Sequence, residues 1–395
     1  MWHHTTVGRE ILIVGGGVVG LALAWRLRRG GASVAVVERG RCGGATSPAS
    51  AGLLQAAPDL VAAAPAMLDL TLPGHRLWPE FVRELEDASG IPLGFGKRGV
   101  LAVSLDEPDD AALDAREARY RAHGLPVERL SAGAARRKEW SLGPAARSAL
   151  VLKGDSWVNP VALGAALTEA FRREGGRTYE RERVTALARD GDRVVGIRTR
   201  ARRIPADAVV IAAGAWSAPL LEPDLPPGAL TPARGQMIAL GGPARDGDRP
   251  GRGAPFLQRA VTSPSVWAVP QNDGRLWVGG AKEAPELRES LDSEPRAETT
   301  ARLLESLERL LPDAGSLPFH EAVVGHPCRA RDRLPILGAS ERTRGLFFAL
   351  GLHRAGILLA PETARVLAPL VLRGDQDPRL LPFGAERLRP SPAAP

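Results

Sequence analysis

Six residues near the start of the chain, Gly15-Gly16-Gly17-Val18-Val19-Gly20, set three glycines at the spacing G-x-G-x-x-G. Each glycine meets a separate demand of a pyrophosphate-binding turn. Gly15 permits the tight turn, Gly17 removes a side chain where a phosphate must approach a helix N-terminus, and Gly20 lets helix and strand pack closely. Glu38 follows Gly20 by 18 residues, where an acid can accept hydrogen bonds from a ribose hydroxyl. Arg39 comes directly after it and leaves a 2′-phosphate partner open. Residues 43–54 are small and polar, with Thr46, Ser47, Ala51, Gly52 and Leu53 among them. That composition suits close backbone approach to a flat or phosphorylated ligand, or a plain flexible loop. Together these residues predict a dinucleotide site.

The flanking elements have the pattern that such a site requires. Residues 11–14 form a short apolar strand, residues 21–29 have helical composition, and Gly30-Gly31 ends that helix. Residues 33–38 form a second buried strand that closes on the acid. Residues 75–90 are expected to form an amphipathic helix with Leu77, Phe81 and Leu85 on one face. Short strands are expected over 93–104, and the polar, Ala- and Arg-rich stretch 107–150 is expected to be helical. Asn159 and Pro160 supply the N-cap and first residue of a helix running to about Arg173. Asp190-Gly191 joins two strands as a hairpin, and residues 208–212 form an apolar strand followed by Ala213-Gly214-Ala215-Trp216. Beyond a Pro-rich crossover at 222–228 come strands at 236–240, 266–270 and 276–280. They are followed by a helix over 295–311, a strand over 346–350 and a loop-helix over 351–372. The last twenty residues look like a tail.

With 395 residues, two domains are expected. Hydrophobic residues at 44% and charged residues at 25% are ordinary for a globular chain and argue against disorder. The net charge is +7, but all but four of the 52 basic residues are arginines, spread along the chain and mixed with 45 acids. That argues against a nucleic-acid partner. The apolar stretch 11–27 is broken by glycines and its basic residues follow it, so it is not a secretory signal; no transmembrane span is expected either, and the chain is expected to be cytoplasmic. Cys42 and Cys328 are too few for a disulfide scaffold or a four-cysteine zinc site, and no metal is expected. The adjacent His3 and His4 lie in a polar leader and are expected to be inert.

The glycine motif, the loop 46–54, the segment 209–217 and the segment Gly351-Leu352-His353-Arg354-Ala355-Gly356-Ile357-Leu358-Leu359-Ala360-Pro361 together resemble one family. It is the FAD-dependent D-amino-acid oxidase family, most closely the glycine oxidases of thiamine biosynthesis. The resemblance covers roughly residues 10–375. It implies an α/β fold: a Rossmann-like FAD domain with a central parallel sheet (8–90, 151–225 and 325–375) and an antiparallel-sheet substrate domain (91–150 and 226–324), with tails at 1–7 and 376–395. It places non-covalent FAD against Gly15, Gly17, Val18, Val19, Gly20, Glu38, Arg39, Thr46, Ser47, Ala51, Gly52 and Leu53, with Val184 at the adenine and Gly214 after the strand. Leu352, His353, Arg354, Ala355, Gly356, Ile357 and Leu358 would lie against the isoalloxazine. The implied reaction is loss of the α-hydrogen of a small amino acid or amine to the flavin, then imine hydrolysis, with oxygen as acceptor and peroxide as product. A dehydrogenase of the same fold, passing electrons to a carrier, and a flavin-binding protein without turnover remain open. A homo-oligomer is compatible with the sequence and not specified by it.

The chain departs from the family at the substrate end. The family's carboxylate-binding arginine position holds Pro327, with Arg329 two residues later; Arg329 and Arg354 are the two candidate clamps. Trp267 stands where a tyrosine is usual, and it is expected to narrow the pocket or stack on substrate. Lys282 replaces an apolar residue and is expected near the flavin or in solvent. His353 is a candidate to tune the flavin, and Cys328, near His326, is expected to be buried and structural.

Overall fold

The computed structural model describes residues 9–58, 64–242, 256–280 and 289–389. Its centre is a six-stranded sheet built around β1 (Glu10–Val14) and β2 (Ser33–Val37), which are parallel and joined by helix α1 (Val18–Arg29). Across the sheet the strands run Ile336–Ala339, Leu346–Leu350, Ala208–Ile211, β1, β2, Arg177–Tyr179. All neighbours are parallel except the first pair, which is antiparallel. The strands read as unbroken apolar runs because both faces are covered. Ile11, Ile13, Val34 and Val36 pack under α1 and the helix Gly356–Arg373; Leu12, Val14, Ala35 and Val37 pack under the hairpin strands Val184–Asp190 and Arg193–Thr199.

A second, eight-stranded sheet runs Phe319–Gly325, Gly235–Gly241, Arg275–Gly279, Trp267–Pro270, Ala260–Thr262, Val100–Ser104, Ser148–Leu152, Val127–Ser131. It is antiparallel except where Ala260–Thr262 lies parallel to Val100–Ser104. One face is covered by Leu303, Leu307 and Leu310 of the helix Ala297–Leu310. The other, through Val100, Met237, Val269 and Trp277, packs with Ala51, Ala57 and Trp157 from the region of the first sheet.

Several expectations need correction. The stretch 107–150 is helical only over Glu107–Ala122 and Ala132–Lys138; Val127–Ser131 and Ser148–Leu152 are edge and inner strands of the large sheet. The amphipathic helix is longer, Leu68–Ser89, and it buries Trp78 fully where Leu77 was expected. Residues 376–389 are not a loose tail. They make two short turns of 3₁₀ helix, Pro378–Phe383 and Ala385–Leu388, that bury Leu380 and Phe383. Arg379 from this segment and Arg365 both donate to the buried Glu362 carboxylate at 2.6–2.8 Å. The stretch His353–Arg373 has the length and apolarity to cross a membrane, but 78% of that window is buried in the fold, with Trp78 Nε1 donating to Leu358 O at 3.0 Å. His3, His4 and Lys282 lie outside the described residues.

Candidate functional site

The glycine turn is constrained in the three ways its chemistry demands. Gly15 has φ +111°, and a Cβ there would sit 2.5 Å from Ala212 O. A Cβ at Gly20 would sit 2.1 Å from Gly15 O, inside the helix–strand contact. A Cβ at Gly17 would meet only Ser47 Oγ, at 3.6 Å, so the N-terminus of α1 stays open to a ligand. At that terminus Val18 N donates to Ser47 Oγ at 3.1 Å. Glu38 is buried; its Oε2 accepts from Gly16 N and its Oε1 from Gly40 N, both at 2.8 Å. The carboxylate is thereby fixed beside the turn, with lone pairs left for a hydroxyl.

The neighbouring segments converge on the same place. Thr46 Oγ1 accepts from His326 N at 3.1 Å. Gly52, at φ +69°, could carry no side chain, since a Cβ would lie 1.9 Å from Val158 O. Ala51 is buried beside it, and Leu53 pairs with Trp157. Gly214, at φ +55°, begins a 3₁₀ turn just after Ala212 and Ala213, which crowd Gly15. Val184 opens its strand two residues after Glu182, whose N donates to Glu38 O at 2.9 Å. Val19 is half-buried on α1.

Sequence reasoning missed a stacked group here. The Arg39 guanidinium carbon lies 3.5 Å from the centre of the Trp216 ring, and the His326 ring meets the same indole edge-on at 5.4 Å. His326 also shares a 3.0 Å hydrogen bond with Ser293 Oγ. Only the arginine-after-acid pair and the Gly-Ala-Trp segment signalled it, and neither shows that they meet. Cys42 is half-buried against Gly16; burial, and then the charges of Glu180 and Glu38, push its thiol up to about 12, so it stays neutral.

At the other end, Gly351 takes φ +74° and His353 φ +51°, and the backbone passes through the 3₁₀ turn His353–Ala355 into the long buried helix. The first-turn amides of Gly356, Ile357 and Leu358 have no partner inside the helix. Arg354 extends over the indole of Trp267, 5.4 Å from the ring centre. Protein crowds this arginine enough for desolvation to lower its pKa, yet its surface remains open to solvent, as for a side chain lining a cleft. Arg329 joins the group through the backbone: it bridges Leu352 in antiparallel fashion, while its guanidinium donates to Glu289 at 3.1 Å. Both side chains of that pair are well exposed, at 41% and 61%. His353 is held neutral, its pKa pushed down to about 4 by burial and then by the charges of Arg354, Arg329 and Arg333. Cys328 is buried, and burial raises its thiol pKa.

Next to Ser156, which pairs with Leu54, a fully buried carboxyl was also missed. Asp155 accepts from Tyr120 Oη at 2.6 Å and from Ala56 N at 3.1 Å, with His75 Nε2 3.7 Å away. Burial pushes it up to about 7 against those two hydrogen bonds.

A parallel sheet that carries a glycine turn, a buried acid and the turn bearing Arg354, beside a second sheet that contributes the indole of Trp267, has the parts of a dinucleotide-dependent oxidoreductase. Residues 10–370 match the family model DAO, FAD dependent oxidoreductase, and the chain belongs to that family, with FAD as its cofactor. It is 31% identical over 380 residues to the glycine oxidase of Geobacillus kaustophilus, covering 96% of this chain and 97% of that one. The crystal structure of glycine oxidase from Geobacillus kaustophilus superposes with a TM-score of 0.87 at 30% identity, covering 96% of this chain and 99% of the other. The bifunctional protein ThiO/ThiG of Nostoc sp. is also 31% identical over 380 residues, which are 96% of this chain and 55% of the relative.

Proposed function

We propose that this enzyme oxidises glycine, sarcosine or another small amino acid at the carbon bearing nitrogen, with molecular oxygen as the final acceptor. The observation that carries this reading is Arg354 poised over Trp267, beside the turn that begins the buried helix. Bound FAD supplies a two-electron acceptor at this point in the cleft. Glu38 would hold a ribose hydroxyl, and the amides at the start of α1 would receive the pyrophosphate on the open side of Gly17. The amides of Gly356, Ile357 and Leu358 face negative charge that develops at the other end.

Arg354 forks onto the substrate carboxylate and sets the α-hydrogen toward the acceptor. Trp267 walls the side chain of the substrate. Loss of the α-hydrogen with its electron pair, and of the amine proton, leaves an imine. Water then releases ammonia or methylamine and the 2-oxo acid, and oxygen takes the two electrons and two protons as peroxide. Arg329 is the weaker candidate for the clamp, because its fork already engages Glu289. We also propose the two-domain division, with Ser148–Leu152 assigned to the domain of the eight-stranded sheet and residues 376–389 to the FAD domain; the two separate sheets support it. Both cysteines are free, as in a reducing, cytoplasmic compartment.

The test is anaerobic bleaching of the flavin band by glycine, sarcosine, D-alanine and D-proline, set against amines without a carboxylate. Bleaching by an amino acid, reversed by air with peroxide release, is expected. Bleaching without peroxide on re-aeration would assign the electrons to a carrier. A yellow protein that no amine bleaches would remove the enzymatic reading.

A further inference from the structure

The charge at the substrate end exceeds what a single carboxylate needs. Arg354 sits on the turn after Gly351; its guanidinium lies over the neutral indole of Trp267 and has no ion pair among the described residues. Desolvation alone lowers its pKa; no nearby carboxylate acts on it among those residues. A crowded cation in that state calls for one anion. Two more arginines stand beside it. The backbone of Arg329 is bridged to Leu352, so its Cα is fixed next to the same turn. Arg333, at φ +67°, closes a tight turn in which its N donates to Ala330 O at 2.9 Å. That turn abuts the same loop, because a Cβ at Gly351 would lie 3.3 Å from Ala330 N and 3.6 Å from Ile336 N. His353, on the same turn, is depressed first by burial and then by the charges of all three guanidiniums.

Only one carboxylate among the described residues answers these three charges. Glu289 reaches Arg329 at 3.1 Å, and that pair is largely solvated. An exposed pair of this kind is worth little and is easily exchanged for another carboxylate. Arg333 has no acidic partner among the described residues and is exposed.

Resting on the amino-acid oxidase reading above, we propose that the preferred substrate carries two carboxylates. One is held by Arg354 over Trp267, and the second is received by Arg329, in exchange for Glu289, with Arg333 alongside. The preferred substrate is therefore an N-carboxymethyl or acidic amino acid, ahead of glycine itself. The reaction balances as before, since the second carboxylate is a spectator that leaves with the product.

Two matched pairs isolate the extra charge: sarcosine against iminodiacetate, and D-alanine against D-aspartate. Each pair differs by a carboxylate added to a methyl group. Anaerobic stopped-flow reduction of the holoenzyme gives an apparent Kd for each. In at least one pair the dicarboxylate is expected to bind about tenfold tighter or better, and added salt should shrink that ratio. The ratio should collapse in Arg329→Gln, and fall partly in Arg333→Gln, each checked for intact flavin absorbance. Glu289→Gln should tighten dicarboxylate binding. The proposal is overturned if the monocarboxylates reduce the flavin and bind as tightly as their partners, in which case oxidation of small amino acids survives. If neither member of either pair, nor glycine, bleaches the flavin, both the proposal and the reading beneath it fail.

Discussion

At the Gly15–Gly20 turn three backbone constraints meet within six residues, while at the opposite end of the cleft one guanidinium rests over an indole 5.4 Å away. The turn is held by contacts that leave no space for a methyl group: 2.5 Å at Gly15 and 2.1 Å at Gly20. The substrate end is held by side chains with exposed surface and by an ion pair that solvent can open. The first region binds a ligand whose phosphates and ribose do not vary, so backbone geometry suffices. The second must suit a particular substrate, and side chains are what a sequence can change without refolding the turn. On the reading proposed above, the contrast is between a cofactor end shaped chiefly by main chain, with the one carboxylate of Glu38, and a substrate end shaped by charged side chains.

Substitutions can break that contrast in a graded way. Gly20→Ala should act on the fold itself, costing roughly 3 kcal/mol or more, because the new methyl group meets backbone and cannot turn aside. Urea unfolding would register it as a large fall in the midpoint; a stable yellow variant would mean that the turn is less rigid than drawn. Gly17→Val should leave the chain folded, since only Ser47 Oγ is near, yet fill the approach to the helix and strip the flavin. Circular dichroism of native shape with no visible absorbance is the expected pair of results, and retained flavin would sink the dinucleotide site.

The substrate end should respond in affinity and rate. Arg354→Gln is expected to lower kcat/KM for an amino acid by about 2–5 kcal/mol, roughly thirtyfold to several thousandfold, with flavin content kept. A minor effect would move the clamp to Arg329. Asp155, buried with Tyr120 and His75 away from both ends, predicts a pH effect. Its folded pKa is raised, so the native state binds the extra proton between the ordinary aspartate value and about 7. Stability from this group is therefore present at acid pH and lost as pH rises toward 7, by up to about 1.4 kcal/mol per pH unit. Comparing wild type with Asp155→Asn by thermal unfolding across pH 4–8 should show the slope only in the wild type. The smallest effect is expected at Trp267. Replacement by Leu removes a cation–π contact worth about 0.5–2 kcal/mol. KM should rise by a few-fold to about thirtyfold, with kcat changed less; a fall in kcat alone would mean that Trp267 touches the reacting atoms.

The dinucleotide end was legible in the sequence because each of its requirements is local. A glycine that must have no Cβ, and an acid at a fixed offset, leave a mark in the chain itself. The hairpin at Asp190-Gly191 and the cap at Asn159, which accepts from Val161 N and Ala162 N, were legible for the same reason. Val127–Ser131 and Ser148–Leu152 were not, because their places are set by partners in a distant sheet; the arginines and alanines between them favour helix. Leu77 and Trp78 are neighbours on one helix, and tertiary packing beneath Gly356–Arg373 decided which was buried. Asp155 and the Arg39–Trp216–His326 stack each unite residues from remote segments, which no spacing rule connects.

The strand order of the central sheet also sets a timetable for synthesis. β1 pairs early with β2, but its other neighbour, Ala208–Ile211, is encoded some two hundred residues downstream, and Leu346–Leu350, the strand beyond that, more than three hundred. At about 5–20 residues per second, that interval is on the order of 20–70 seconds on the ribosome. Throughout it Ile11, Ile13 and their partners lack their final cover. The cofactor cleft cannot be assembled before the last tenth of the chain emerges, because Arg354 and the helix behind it lie there. A truncation that removes Gly356–Arg373 therefore yields a product that has the complete glycine motif but lacks the helix that covers β1 and follows Arg354.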